Sequence, residues 1–387
     1  MRWSVLKSLL PNSGLKLNLL WLVFWALLTV PVIAAEIHVG LEQDVETITV
    51  GSSTPAQLVD GKGRIVGKIS ALQGFTASPI SGGVGLAGRK AWQLMIQPQE
   101  NGFVYAGDRW YRGQLKLLRT GGGITVINEV NLEDYLASVI GKEMYPTWPE
   151  EALKAQAVAS RSYALFQQKR SKYKYFDVVD TVASQVYVGI GGEANSTQAA
   201  VKATAGEVLM YQGKVIEAAF HSASGGRTEN SENVWMSAVP YLRGVPDFDQ
   251  AAPVFQWSTT LTAGQLRQRI PGIGDILALI PVKTSPTGRI QIIKIQGSAG
   301  ARVMKGAEVR RALSLRSTLF TVKPDFGLVA AGKPGVNKPI AFQINGRGSG
   351  HGLGMSQWGA YGMATQGKTY RDILDHYFQG ATIKSIE

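Results

Sequence analysis

The sequence predicts an α+β protein, mixing β-rich and helical parts, and three observations carry that expectation. Residues 36–126 are short β-branched or alternating runs, cut by Gly51, Pro55, Gly61 and Gly63 as strands are cut by turns. Residues 131–169 switch to helical periodicity on both sides of a proline-rich corner. From 251 to 340, helix-like and strand-like pieces alternate between Pro and Gly turns. The 387 residues are 45% hydrophobic and 18% charged, with nine tryptophans, so there is ample core and a largely disordered chain is excluded.

At the start, Arg2, Lys7 and Lys16 precede an uncharged apolar run over 19–35, and Ile33-Ala34-Ala35 offers small residues before Glu36. That is the pattern of a secretory signal. The run also approaches the length of a membrane span, so an uncleaved N-terminal anchor is the alternative. On either reading the remainder is exported to the periplasm, the cell wall or the outer face of the cytoplasmic membrane. The chain has no cysteine, which excludes disulfides, thiol chemistry and cysteine-rich zinc sites. Its formal charge is +12, or +9 once the three basic residues of 1–35 are removed. Such a surface suits anionic polymers. Outside the membrane, cell-wall glycan with its carboxylates fits better than nucleic acid.

Residues 77–88, rich in Gly and Ser, read as a loop. Residues 111–118 and 124–130 frame Arg119-Thr-Gly-Gly-Gly123 as a hairpin that delivers the chain to the first helix. On that helix Leu132, Tyr135, Leu136, Val139 and Ile140 share one sector, and Glu143, eleven positions after Leu132, returns to the middle of it. A carboxylate on an apolar face is costly unless paired or neutral, and desolvation raises its pKa, as suits an acid that must hold a proton. The alternative is a helix ending near Gly141, with Glu143 turned to solvent or to an arginine. Pro146 and Pro149 end the first helix. Thr147 and Glu150 have capping-box spacing for the second helix, over 150–169. That helix is alanine-rich and apolar nearly all round, so it should be buried. Its Gln156, Arg161 and Tyr163 then need partners, Arg161 an acid. Further on, residues 184–189 read as a strand end, 194–205 as a helix, and 207–211 with 215–220 as a strand pair. Thr369 and Asp372 give a second capping-box spacing before a final helix.

Two glycine-rich segments carry histidines: His221-Ser-Ala-Ser-Gly-Gly-Arg-Thr228, and the alternate glycines 346–354 around His351. Alternate glycines permit close approach of a backbone or a ligand. Neither segment is a phosphate loop. Ser222 and Ser224 beside His221 do not fit the nucleophile elbow of hydrolases. A zinc site from His221, His351 and Asp247 or Asp249 lacks metal-ligand spacing, and no cofactor is expected. Glycoside cleavage normally uses two carboxylates. One is enough if the substrate brings its own nucleophile, as a muramic acid residue does with its C6 hydroxyl. Glu143 is then the candidate acid/base.

An ordered series of segments resembles the stage II sporulation protein D (SpoIID)/LytB family. The series is Tyr111-Arg-Gly, Asn131-Leu-Glu-Asp-Tyr-Leu, Glu143-Met with Pro146, residues 152–165, Ser184-Gln-Val-Tyr, His221–Thr228 and residues 350–360. It spans about residues 36–385. The family commonly reads Glu-Met-Pro where Tyr145 intervenes here. Some members bind zinc through Cys and His, and this chain has no Cys. The resemblance implies action on peptidoglycan. It implies a lytic transglycosylase with Glu143 as acid/base, acting on strands stripped of stem peptides, or else a non-catalytic modifier that enhances a cell-wall amidase. His221, Ser222, Ser224, Gly225, Gly226, His351 and Gly352 would line the glycan groove, and Gln185 and Tyr187 would add sugar contacts. The expected organisation is a signal or anchor over 1–35, a β-rich part over 36–126 and a catalytic core over 127–250. An α/β packing subdomain without visible chemistry follows over 251–340. A Gly-rich His motif with C-terminal helices, over 341–387, completes the core.

Overall fold

The structure, a computed structural model, describes residues 35–235, 237–327 and 338–386. The apolar run expected to be a signal or anchor lies outside them. Among the described residues no helix is long and apolar enough to cross a membrane. Residues 36–386 form one compact unit. Helices and several sheets occur together, as the α+β reading expects. Among the described residues the helices are α1 (Leu132–Glu143), α2 (Glu150–Arg170), α3 (Asn195–Ala203), α4 (Ala263–Arg269), α5 (Gly306–Ala312), α6 (Gln357–Thr365) and α7 (Tyr370–Tyr377).

A seven-stranded sheet organises the first part. Its order is Val178–Val179, Glu36–Val45, Gly123–Asn131, Gln114–Thr120, Gln93–Pro98, Ala56–Asp60, Ile65–Ile69. The hairpin read between 111 and 130 is present, with Thr120 paired to Gly123 across a two-glycine turn. The strand Gly123–Asn131 is buried on both faces along nearly its whole length, which explains its continuous Ile-Thr-Val-Ile character. It runs straight into α1, where the Asn131 side chain accepts the Glu133 N–H at 2.8 Å as an N-cap. The most buried strand of the sheet therefore aims α1. Residues 77–88 are not a loop: Phe75–Ile80, Gly83–Leu86 and Arg89–Ala91 are successive antiparallel strands. Pairing on both sides of a short strand overrides the composition of a Gly/Ser-rich segment.

The helix α2 is the hub of the second part. Ala152, Ala155, Ala157, Val158 and Ala159 are fully buried, and these small side chains let α1, α3, α6, α7 and the strand Glu207–Tyr211 pack against it. Arg161, also fully buried, finds the acid it needs in Glu133 of α1. Nε and Nη2 donate to the two carboxylate oxygens at 2.7 and 2.6 Å, and Nη1 donates to the Glu207 carbonyl at 2.9 Å. Gln156 donates to Ser160 at 2.9 Å. The helix start differs from expectation. Pro149, not Thr147, is the N-cap residue, no side chain caps it, and Glu150 pairs with Lys154 instead. The proline's fixed φ sets up the first turn, and its carbonyl accepts from Ala152 and Leu153. The Thr369–Asp372 capping box forms as read.

Residues 184–188 are irregular rather than a strand end, and they open into a 3-10 turn at Gly189–Gly192. The strand pair after α3 is short: Glu207–Tyr211 pairs with Lys214–Val215, and on its other edge with Thr382–Ser385. Between 256 and 347 lie two three-stranded sheets with α4 and α5, around a core that includes Leu266, Ile293, Val309, Phe342 and Ile344. Each such side chain contributes about 1.5–3 kcal/mol on burial. The chain then returns to the first part, where Met355–Ser356 pairs in parallel with Phe220–His221.

Candidate functional site

Glu143 is the last residue of α1, half-buried, with its side chain in a cleft of about 900 Å³. The helix thus runs past Gly141. Oε1 accepts the Val186 N–H at 3.2 Å and Oε2 accepts from Gln357 Nε2 at 3.2 Å. Burial pushes the carboxyl above its ordinary pKa, and the two hydrogen bonds only partly offset this. No cation is among the groups that shift it. Its place at the negative end of the helix dipole also disfavours the carboxylate form. The result is a carboxyl raised by burial and held in position by neutral partners.

The opposite fold segments supply the rest of the cleft. His221, Ser222, Gly350 and His351 line it together with Tyr163, Ser184 and Gln357. The two imidazoles stand 5.3 Å apart, centroid to centroid, and hold the two backbone polar groups of one residue, Leu353. His221 Nδ1 lies 3.1 Å from the Leu353 carbonyl, and the Leu353 N–H donates to His351 Nδ1 at 3.0 Å. A carbonyl only accepts, so His221 carries its proton on Nδ1 and presents Nε2 as an acceptor. That atom is buried and has no partner among the described residues. Burial, then His351 and Arg289, push His221 well below its ordinary pKa. Burial, then Arg310 and Arg289, bring His351 to about 4. Both rings are therefore neutral near pH 7 and serve as hydrogen-bonding groups rather than charges.

Gly350 makes this pairing possible. Its φ is +112°, and a Cβ there would stand 2.6 Å from His221 Cβ. Gly350→Ala is expected to cost about 1–3 kcal/mol through backbone strain and collision. A lowered thermal melting temperature checks it, and an unchanged one refutes the close approach.

Other residues expected in the groove lie beneath it. Ser224 is fully buried, its hydroxyl given to Asp247 and its carbonyl accepting from Arg289 at 2.6 Å. The N–H groups of Gly225 and Gly226 donate to Asp249 at 2.7 and 2.9 Å. Asp247 and Asp249, weighed as metal ligands, are thus engaged in holding the loop. Gly352 leaves room for the Arg289 guanidinium, which a Cβ would approach to 2.5 Å. Gln185 and Tyr187 are core residues: Gln185 accepts from the Tyr135 hydroxyl at 3.1 Å, and the Tyr187 hydroxyl donates to Asn128 at 2.7 Å. Ser224, Gln185 and Tyr187 are buried, as are Gly225 and Gly352, while Gly226 is half-buried, and in this arrangement the six support the cleft from beneath. Among the described residues no three His, Asp or Glu side chains gather closely enough to hold a metal ion.

Sequence reasoning missed several lining residues. Glu217 and Trp235 line the cleft, and Arg310, Arg311, Ser314 and Leu315 enter it from α5 and the turn after it. Burial raises Glu217 from its ordinary pKa, and it raises Tyr163 to about 12. Glu217 sits in an apolar run, a signal of the same kind as that of Glu143. The arginines carry no local signal. Beside Glu143, the extra Tyr145 is 62% exposed and belongs to an aromatic cluster. Its ring lies 5.5 Å from Trp148 and 6.4 Å from Trp358, with Trp148 and Trp358 4.7 Å apart.

Fold and cleft together define an α+β protein with a half-buried carboxyl at a helix end, in a cleft that also holds Glu217 and paired neutral imidazoles. Residues 120–211 match the family described as Stage II sporulation protein, and residues 237–354 match a Domain of unknown function (DUF8618). The chain is 34% identical over 281 residues to the stage II sporulation protein D of Bacillus amyloliquefaciens, covering 67% of this chain and 76% of that one. It is 36% identical over 327 residues to an uncharacterised protein of Brachyspira hyodysenteriae, covering 81% and 84%. To the amidase enhancer of Bacillus subtilis (strain 168) it is 33% identical over 310 residues, covering 65% of this chain and 40% of that one. The chain belongs to the stage II sporulation protein D (SpoIID)/LytB family. Glu143 and Tyr163 fall in the first matched segment, and Arg310 and His351 in the second.

Proposed function

We propose that the protein is an exported, cell-wall-acting lytic transglycosylase that cuts peptidoglycan glycan strands with Glu143 as its only acid/base. The observation that carries this reading is the state of Glu143: a carboxyl raised by burial, free of cations, fixed by two hydrogen bonds at the wall of a polymer-sized cleft. Protonated Glu143 gives its proton to the glycosidic oxygen as the C1–O bond of a muramic acid residue breaks. The C6 hydroxyl of that residue attacks C1, and the carboxylate takes the hydroxyl proton. The products are a 1,6-anhydro-muramyl end and a free sugar hydroxyl, with no water consumed and the acid regenerated. The aromatic cluster beside Glu143 suits sugar faces. Mass spectrometry of peptide-free strands incubated with the purified protein is expected to show anhydro ends. Strands left intact would remove the reading.

The pH dependence follows from the acid's state. Glu143 works only while protonated, and burial extends that form to higher pH than an ordinary carboxyl allows. The kcat/KM profile is therefore expected to hold at low pH and to fall as pH rises through the raised pKa. A falling limb in the ordinary carboxylate range, near 4, would contradict it.

The relative named amidase enhancer favours a second reading, a wall-binding modifier that stimulates a cell-wall amidase without cutting glycan. Faster amide hydrolysis by a partner amidase, with intact strands, would establish it in place of the first.

A further inference from the structure

The end of α2 and the stretch after it read Lys169-Arg-Ser-Lys-Tyr-Lys-Tyr175, and all four basic side chains are exposed. Lys214, also exposed, joins Lys169 and Arg170 around an open hollow of about 500 Å³ that Phe166, Met210 and Tyr241 help to line. Among the described residues none of these five cations pairs with a carboxylate. Three stand over rings instead: Arg170 over Phe166 at 4.8 Å, Lys172 over Tyr173 at 5.3 Å and Lys174 over Tyr175 at 5.0 Å. Basic side chains in the last turn of a helix offset its dipole, but Lys172, Lys174 and Lys214 lie outside α2 and have no such duty. Asp177, close by, is engaged: it accepts from the His38 N–H at 2.9 Å and from Gln168 at 3.2 Å.

Two further observations bear on what covers this face. Glu36, just after the apolar run over 19–35, is held beside it, its carbonyl accepting from Gln168 Nε2 at 2.8 Å. Tyr175 and Trp92, 36% and 59% exposed, line one open hollow with Ile80 and Arg119. Asp44, at the same hairpin turn, is taken by the Thr120 hydroxyl. Basic side chains beside exposed Trp and Tyr suit a membrane–water interface. A phosphate polymer in solution would use the charges alone.

We propose that the end of α2, with Lys169, Arg170, Lys172, Lys174 and Lys214, docks on the surface of an anionic phospholipid membrane, with Tyr175 and Trp92 entering the headgroup layer. The inference concerns where the protein sits and is independent of what it cuts. Tyr163, which lines the cleft, precedes Lys169 by about 9 Å along α2. A docked protein therefore holds its cleft close to the bilayer.

The test uses the chain from Glu36 onward, since residues 36–386 form one compact unit, so that the apolar run cannot insert by itself. Co-sedimentation with vesicles of phosphatidylglycerol and phosphatidylcholine in equal parts is compared with vesicles of phosphatidylcholine alone. Each cation at the surface is worth about fivefold, so the anionic vesicles are expected to bind about 10³-fold more tightly, and less so as salt is added. The triple variant Lys169→Gln, Lys172→Gln, Lys174→Gln is expected to lose about 10²-fold, and the matching Lys→Arg variant to keep full binding. A second triple variant, Lys283→Gln, Arg302→Gln, Lys323→Gln, removes the same charge from exposed positions of the sheets between 256 and 347. It is expected to bind as the unaltered chain does. Equal binding to the two kinds of vesicle overturns the docking face, as does an equal loss in the two glutamine variants. Full competition by soluble poly(glycerol phosphate), with Trp92→Ala binding vesicles undiminished, assigns the face to a polyanion and overturns the membrane. The vesicle comparison is made first with the unaltered chain, so a poorly folding variant does not blunt it.

Discussion

Glu143→Gln is expected to lower release of anhydro-muramyl ends by about 10²- to 10⁴-fold, the usual worth of a positioned acid/base. The substitution is nearly isosteric, and the amide oxygen still accepts from Val186 N–H or Gln357 Nε2. It removes a carboxyl whose burial is the largest influence on its pKa, so folding stability is expected to hold or to rise slightly. What it removes is a transferable proton at the glycosidic oxygen, and the base that takes the C6 hydroxyl proton. Loss should therefore fall on kcat, with strand binding kept. Undiminished release in the variant would remove Glu143 from the chemistry and turn attention to Glu217, the other raised carboxyl of the cleft.

Arg161→Ala is expected to cost about 3–5 kcal/mol of stability, as removal of one partner of a buried pair does. The guanidinium is fully buried and donates to both oxygens of Glu133 and to the Glu207 carbonyl. Its loss leaves those carboxylate and carbonyl oxygens short of donors and opens space between α1, α2 and the strand Glu207–Tyr211. Glu133→Gln is also expected to be costly, because it leaves the fully buried Arg161 guanidinium without a counter-charge, whereas the Glu133 carboxylate left by Arg161→Ala is 36% exposed and can turn to water. Chemical denaturation measures both. A loss for Arg161→Ala below about 1 kcal/mol, the scale of an exposed pair, would contradict the pairing. The consequence reaches the cleft, since Glu133 sits at the opposite end of α1 from Glu143. A loosened α1 lets the acid drift from Val186 and Gln357.

The residues that announced themselves in the sequence were those whose placement follows from local periodicity. The α1–corner–α2 unit, the hairpin before it and the anomalous Glu143 all follow from helical spacing, glycine pairs and prolines. Arg161 declared its need for an acid, although only the fold identifies Glu133. Misreadings arose where tertiary contact decides. Pro149 displaced Thr147 as the cap, and strand pairing organised residues 77–88 against their composition. Gln185, Tyr187, Ser224, Gly225 and Gly226 were recognisable as a set, but spacing in an irregular segment does not reveal which side faces inward. In the fold they lie outside the cleft lining. Arg310 and Arg311 were illegible for another reason: they reach the cleft from a segment whose own pattern shows only packing.

The cleft joins distant stretches of chain. Gln357 is 214 residues beyond the acid that it holds, and the Leu353 peptide is 132 residues beyond His221. During synthesis, every part of the acid's own helix exists long before its holder does. A nascent or clipped chain ending short of residue 350 has a proton donor without a wall to aim it. Closing so long a loop is slow, so competence arrives as one late event and not by degrees. For a protein read as cutting the cell's own wall, that ordering is a timer: strands are safe from it until the final stretch of polypeptide has been delivered and folded back.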